Sequence, residues 1–245
     1  MQTPFHTVGL VGKYDNPQMH ESVCALAEFL QTRGHAVLLA SQTAERLNLQ
    51  NCPTRSLHDL ATESDVVVVM GGDGTMLSIA RELAPHGVPL IGINQGRLGF
   101  LTDITVEDMY DAIAEILSGQ YVAEERILLN GQVRRNDEKV FEATAFNDVV
   151  LGKGGSGRLI DLEISINSEF VYSQRADGLV VTTPTGHLTY ADDARVHFDG
   201  QHHFDLQSGD HVWITRANRP VTLLHPHSYS YYDTLRQKLH WGKKL

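Results

Sequence analysis

The sequence predicts a doubly wound α/β domain followed by an antiparallel β-sandwich, and three observations carry that expectation. Up to Gly119, short apolar runs alternate with stretches of helical spacing, the signature of right-handed βαβ crossovers and a parallel sheet. Two of those runs, ending at Met70 and Asn94, empty into glycine-containing loops. Beyond Gly119 the helical period gives way to short runs of period two, separated by turn residues, until the last stretch of the chain.

Thr7–Gly12 reads as a first apolar strand with a glycine exit. Pro17 opens a helix, a position where its missing N–H costs nothing. Val23, Leu26, Ala27 and Leu30 form its apolar stripe, and Gly34 ends it. His35–Ala40 is the second strand. A short helix over Ala44–Leu49 and an irregular link lead to the run Asp65-Val-Val-Val-Val-Met70, whose β-branched residues predict a buried parallel strand. Gly71, Gly72, Asp73, Gly74 and Thr75 follow, and Met76, Leu77, Ile79, Ala80 and Leu83 then keep helical spacing. Val88–Asn94 is a further strand, Gln95–Gly99 a second loop, and Ala112, Ile113, Ile116 and Leu117 line one helix face.

In the second half, Ile127–Arg135 and Lys139–Leu151 flank the turn Asn136-Asp137. Ile160, Leu162, Ile164 and Ile166 alternate with polar residues, Asn167-Ser168 turns the chain, and Glu169–Gln174 and Gly178–Thr182 are further strands. A final helix is expected over Tyr229–Leu239. The domains are therefore placed at 1–119 and 120–245, with the last helix returning toward the first. The cleft between them is the expected ligand site.

Composition narrows the function. The chain has 245 residues, 42% hydrophobic and 20% charged, with a net charge of −10. That charge argues against nonspecific nucleic-acid binding and against an acidic membrane surface. Cys24 and Cys52 are too few for a disulfide framework, and a reducing cytoplasm is expected. No signal peptide and no membrane-spanning run is expected.

Strand, glycines and helix N-terminus together predict an anion site around Gly72, Asp73, Gly74 and Thr75, with free N–H groups and the positive end of the helix dipole facing the ligand. The glycines are expected to supply positive φ or the absence of a Cβ. Asp73 is the discordant member, because a carboxylate repels phosphate unless it holds a metal or takes a proton; the plain alternative is a tight turn with Asp73 as helix cap. Asn147-Asp148, at a strand end, suits hydrogen bonding to ribose hydroxyls and a base edge, or is simply a turn. Lys153–Gly157 reads as a hairpin loop. Arg175 is suited to neutralising phosphate and Asp177 to accepting a hydroxyl, with a surface ion pair as the alternative. Seven histidines from His187 to His227 lack metal-ligand spacing and are expected on surfaces and strand faces.

Taken together, Gly71-Gly-Asp-Gly-Thr75, Gly92-Ile-Asn-Gln-Gly-Arg-Leu-Gly-Phe-Leu-Thr102, Asn147-Asp-Val-Val150 and Asp177-Gly-Leu-Val-Val-Thr-Thr-Pro-Thr-Gly186, with His225-Pro-His-Ser-Tyr-Ser-Tyr231, closely resemble the NAD kinases. The first motif alone also resembles loops of phosphofructokinases and of diacylglycerol- and sphingosine-type lipid kinases. The resemblance implies a Rossmann-like first domain and phosphoryl transfer from ATP, or polyphosphate, to the adenosine ribose 2′-hydroxyl of NAD, giving NADP. It implies a divalent metal, usually magnesium carried on the ATP phosphates, and a homodimer or homotetramer. Asp73 matches the family's proposed base. Asn147 and Asp148 match the pair that grips NAD, and Arg175 and Asp177 match nucleotide contacts. Arg158 and Gln201 match more loosely, and Asn94 lies in the second motif.

One departure stands out. Family members continue from TPTG into STAY, a glycine-rich turn and several dozen residues with the motif PHxLxxRP. Here Gly186 meets His187-Leu-Thr-Tyr-Ala-Asp-Asp193 close to the family's last strands. A segment outside these 245 residues is favoured over a true internal deletion, since both flanks match and lost strands would leave unpaired edges. An intact mass well above 27.2 kDa would decide it. The other readings are a lipid kinase or, with a true deletion, a non-catalytic NAD-binding module.

Overall fold

The computed structural model describes residues 5–12, 17–45, 52–96, 99–154, 159–184 and 193–239. The chain divides into two units, Met1–Arg126 with Arg219–Leu245, and Ile127–Asn218.

In the first unit, β1 (Thr7–Gly12), α1 (Pro17–Thr32) and β2 (Ala36–Ala40) form the opening crossover, followed by α2 (Ser41–Ala44), β3 (Thr54–Arg55) and α3 (Leu57–Glu63). Then come β4 (Val66–Met70), α4 (Asp73–Leu83), β5 (Leu90–Asn94), β6 (Ile104–Thr105), α5 (Met109–Leu117) and β7 (Val122–Arg126). The short helix expected over Ala44–Leu49 lies instead at Ser41–Ala44, with residues 46–49 outside the described region. The link expected to be irregular contains β3 and α3. Ser56 starts that helix, its hydroxyl accepting the Asp59 N–H at 3.1 Å.

The second unit holds β8 (Leu129–Arg135), β9 (Glu138–Ala145), β10 (Asp148–Gly154), β11 (Ile160–Ile166), β12 (Glu169–Ala176), β13 (Gly178–Thr182), β14 (Asp193–Phe198), β15 (His202–Asp205) and β16 (His211–Arg216). The chain returns to the first unit as β17 (Val221–His225) and α6 (Tyr231–Leu239). The described boundary thus falls after β7, later than the expected one at Gly119, because β7 pairs with β17.

The first sheet runs β3-β2-β1-β4-β5-β17-β7, with β6 beside β5. Its ladders are parallel except β17–β7, and the order reverses at β1, so the carboxyl ends of β1 and β4 border a topological switch point. Val66–Met70 are fully buried, as the unbroken apolar run predicts. On one face of the sheet Val66, Val68 and Met70 pack with Val23, Leu26, Ala27 and Leu30 of α1 and with Ile113, Ile116 and Leu117 of α5 in one core.

The second unit is antiparallel, with sheets β13-β10-β14-β15 and β16-β8-β9 and the separate hairpin β11-β12. Side chains of β8, β9, β10 and β14 share a core, which makes the sandwich. Asn136-Asp137 and Asn167-Ser168 take positive φ at both positions, the turn type that matches strand twist. The single strand expected over Lys139–Leu151 is two strands. The N–H groups of Phe146, Asn147 and Asp148 bond to the Asp199 carboxylate instead of continuing a ladder, and the chain breaks there.

Candidate active site

Asp73 is the first residue of α4, immediately beyond the carboxyl end of β4. The turn keeps part of the expectation and departs from the rest. None of Gly71, Gly72 and Gly74 takes positive φ; Gly72, the residue before the helix, has φ −92° and ψ −178°. What the turn uses is the missing side chain, since a Cβ on Gly71 would lie 2.7 Å from Thr75 Oγ1. The Thr75 and Met76 N–H groups fold back onto the Gly72 carbonyl at 3.0 and 3.1 Å, so Thr75 offers no free N–H. Asp73 does not cap its own helix.

Its carboxylate turns to the loop after β5. Oδ2 accepts the Phe100 N–H at 2.9 Å, and Oδ1 accepts the Leu101 N–H at 3.0 Å and the Thr102 hydroxyl at 3.3 Å. Lys238 Nζ, on α6, donates to Oδ2 at 3.0 Å. The side chain remains 26% exposed, so the group is held and still open to a ligand. Burial alone would raise its pKa; the two loop N–H groups and the Lys238 ammonium outweigh that and hold the carboxyl below the ordinary aspartate value.

The loop is built to make this approach. A Cβ on Gly99 would sit 2.1 Å from Asp73 Oδ1 and 2.3 Å from Thr102 Oγ1, so only glycine fits. Asn94, buried at the end of β5, donates from Nδ2 to Thr102 Oγ1 at 2.9 Å and accepts the Gly96 N–H at 2.7 Å. Asn94, Thr102, Asp73 and Lys238 therefore form one hydrogen-bonded line. Arg97 and Leu98 lie outside the described residues.

The far end of the loop is anchored by charge. His225 Nδ1 lies 3.0 Å from Asp103 Oδ2, and Nε2 lies 3.4 Å from Glu124 Oε2, an ion-pair distance. Arg126 Nε is 2.9 Å from Glu124 Oε1, and Tyr229 stacks on the imidazole at 3.9 Å. Two carboxylates and two bases balance when the histidine is protonated. Burial opposes that charge; Asp103 and Glu124 overcome it and raise the His225 pKa. His225 ends β17, a strand position as expected, but it is buried, at 1% exposed, and not on the surface. Burial pushes the neighbouring Tyr229 hydroxyl up to about 12.

In the second unit, Asn147 and Asp148 are buried where β10 begins, whereas the sequence suggested that they close a strand. Asp199 gathers the N–H groups of Phe146, Asn147 and Asp148 at 2.8, 2.7 and 3.2 Å. Thr182 Oγ1 and the Thr183 N–H both donate to the Asn147 carbonyl, at 3.1 and 2.8 Å. Asp199 and Gly200 hold positive φ in the β14–β15 turn, and Gln201 closes it through its N–H to Phe198 O at 3.0 Å. Arg175 lies on the exposed β12 in a two-point ion pair with Asp161, at 2.8 and 3.2 Å, and Asp177 is exposed beyond it. Arg158, Lys153–Gly157 in part, and the stretch from Thr185 to Asp192 lie outside the described residues. A depression of about 340 Å³ lined by Asn130, Glu142, Thr215 and Arg216 includes none of these candidates.

Sequence reasoning missed Thr102, Lys238 and His225 as partners of Asp73 and its loop in the first unit, and Asp199 as the partner of the Asn147-Asp148 backbone in the second. The Asp199-Gly200 pair is a hairpin-turn signal that was legible, and Thr102 closes a motif already singled out. Nothing near Lys238 in sequence marks it.

Residues 8–121 match the sequence model of the ATP-NAD kinase N-terminal domain, and residues 146–194 that of the ATP-NAD kinase C-terminal domain. The NAD kinase of Thiobacillus denitrificans is 72% identical over 290 aligned positions that cover 100% of both chains. That length exceeds the 245 residues here by 45, so the relative has residues without a counterpart in this chain. Among solved structures, yeast NADH kinase complexed with NADH superposes with a TM-score of 0.84 at 20% identity, covering 100% of this chain and 90% of its own. An NAD kinase from Archaeoglobus fulgidus in complex with ATP gives 0.66 at 20% identity, covering 96% and 98%.

Proposed function

The chain belongs to the ATP-NAD kinase family, and on that premise we propose that it transfers the terminal phosphoryl group of ATP to the adenosine ribose 2′-hydroxyl of NAD, with Asp73 receiving the hydroxyl proton. It is a phosphotransferase. The observation that carries the assignment of Asp73 is its carboxylate, oriented by three donors of the loop after β5 and still partly exposed at the carboxyl edge of the parallel sheet.

The bond from O2′ to the γ-phosphorus forms as the bond from phosphorus to the β,γ-bridging oxygen breaks. ADP leaves, and the proton passes to Asp73 and then to solvent. A carboxylate held below its ordinary pKa is a weak base, which suits a loose transition state. The hydroxyl becomes acidic only as its oxygen bonds to phosphorus, so Asp73 orients first and accepts late. Positioning and charge neutralisation supply most of the rate.

Asn147 and Asp148 are assigned to the ribose and adenine edge of NAD, which their fixed backbone supports. Gly72, Gly74, Thr75 and Asn94 shape the approach to Asp73. Arg175, Asp177, Gln201 and Arg158 are assigned to outer nucleotide contacts. Magnesium enters on the ATP phosphates, where it offsets their charge. That role is supported by the donor set of Asp73, which spends its acceptor positions on protein donors.

A cytoplasmic location is supported by the two free cysteines. No described helix is long and apolar enough to cross a membrane. A homodimer or homotetramer is supported by the exposed apolar side chains of Ile166, Phe170 and Val171 on the β11–β12 hairpin.

The test is NADP formation from ATP, magnesium and NAD, run beside polyphosphate as donor and diacylglycerol as acceptor. NADP formation supports the proposal, and phosphorylation of the lipid alone overturns it. The 45 unmatched positions favour one second reading, an NAD-binding module without turnover. NAD binding with no NADP would select it.

A further inference from the structure

We propose that Lys238 is the charge-compensating partner of Asp73, the cation that lets a polyphosphate lie beside the carboxylate. The inference rests on the function proposed above, and it answers the discord of an acidic residue in an anion site.

A carboxylate offers about four acceptor positions. Those of Asp73 meet Phe100 N–H, Leu101 N–H, the Thr102 hydroxyl and Lys238 Nζ. Three of these donors cannot leave easily. The two amides belong to a loop closed by the Gly99 N–H to Thr102 carbonyl bond at 3.0 Å and anchored through Asp103 to His225. Thr102 is fully buried and bonded to Asn94. Lys238 is different, with a side chain 32% exposed at the end of a flexible four-carbon stem. Its ammonium also lies 4.8 Å from the Phe100 ring centroid, which gives it a second favourable contact at the loop.

Of the four donors, Lys238 alone carries a charge. With it in place the Asp73–Lys238 pair is neutral, and a triphosphate meets no net repulsion. When the sugar hydroxyl arrives at Oδ2, Lys238 yields that position without leaving the site, and its charge continues to offset that of the carboxylate. Lys238 is thus a positioning residue acting through Asp73.

The test measures the equilibrium affinity for MgATP, which is readable even in inactive variants, together with NADP formation. Lys238→Met leaves the carboxylate uncompensated and weakens MgATP binding by about tenfold, the scale for one unscreened charge near a surface. Lys238→Gln keeps a donor without charge and follows the methionine variant, while Lys238→Arg stays within about threefold of the parent, as expected if charge is what matters. The decisive variant is Asp73→Asn with Lys238→Met. It removes both charges and restores MgATP affinity to within about threefold of the parent while turnover stays as low as in Asp73→Asn. A purely structural tether predicts no such restoration. MgATP affinity within twofold of the parent in both Lys238→Met and Lys238→Gln, or a double variant no tighter than Lys238→Met, overturns the proposal. A parent protein that binds MgATP but makes no NADP overturns the function instead, and leaves the compensation pattern to be judged on binding.

Discussion

Asp73 and Asp199 are both carboxylates stretched across consecutive backbone N–H groups, in opposite surroundings. Asp199 takes three N–H groups at the break between β9 and β10 and is 8% exposed. Asp73 takes two, with a hydroxyl and a lysine, and is half-buried where Asp199 is buried. The first arrangement is buried and fixes a backbone. The second has one charged donor, on a partly exposed side chain. Donor number therefore does not separate the two carboxylates; the charge and partial exposure of the last donor do.

The comparison breaks most severely at Asp73. Asp73→Asn keeps the shape and loses the proton acceptor, so NADP formation should fall by roughly 10²–10⁴ with the unfolding midpoint little changed. Near-normal turnover in the folded variant would remove Asp73 from the chemistry. Gly99→Ala should come next, because its Cβ meets the carboxylate at 2.1 Å and must push it from the loop. A drop of about 10² in turnover, at unchanged NAD affinity, is the scale for misplacing a reacting group by an ångström.

Asp199→Ala should act on the other side, through stability. It orphans three buried N–H groups, and a cost of roughly 3 kcal/mol follows after water recovers part of the loss. Denaturant unfolding measures it, and weaker NAD binding should accompany it if Asn147 and Asp148 hold that ligand. A variant as stable as the parent would mean that the β9–β10 break needs no Asp199.

His225 provides a pH test. Its folded pKa is raised above 6.5, so the stabilisation from Asp103 and Glu124 is fully present below pH 6.5 and is lost as pH rises through the folded value. The unfolding midpoint should decline on that alkaline side, by roughly 2–4 °C for each kcal/mol lost. His225→Gln should flatten the slope. A midpoint with the same slope in the variant would assign the pH dependence elsewhere. The smallest effect is expected at Arg175→Ala. Its ion pair with Asp161 is exposed on both sides, and thermal unfolding should not register its loss. A fall in nucleotide affinity in that variant would report a contact made only with ligand.

Much of the fold could be read from local pattern. The run Val66–Met70 announces a strand buried on both faces, and the stripe Val23, Leu26, Ala27 and Leu30 announces the helix that covers the sheet. Asn136-Asp137 and Asn167-Ser168 mark their hairpins because few other residues tolerate two positive φ values in succession. Where the reading erred, a side chain from elsewhere had taken the backbone. Lys139–Leu151 has continuous strand character, yet Asp199 breaks it from more than 50 residues away. Ser56 and Asp59 were a local capping signal, and the helix they start was legible but overlooked.

By itself, then, the sequence determined the elements, their alternation and the place where Asp73 would emerge, because strand and helix periods are properties of neighbouring residues. It also carried the motifs that identify the family. Only the tertiary structure decided what Asp73 touches. Lys238 reaches it across 165 residues, and His225 reaches Asp103 across 122. Those pairs form because β17 enters the first sheet beside β5 and carries the end of the chain back to the loop. The charge state and freedom of the carboxylate follow from that closure, and no local pattern encodes it.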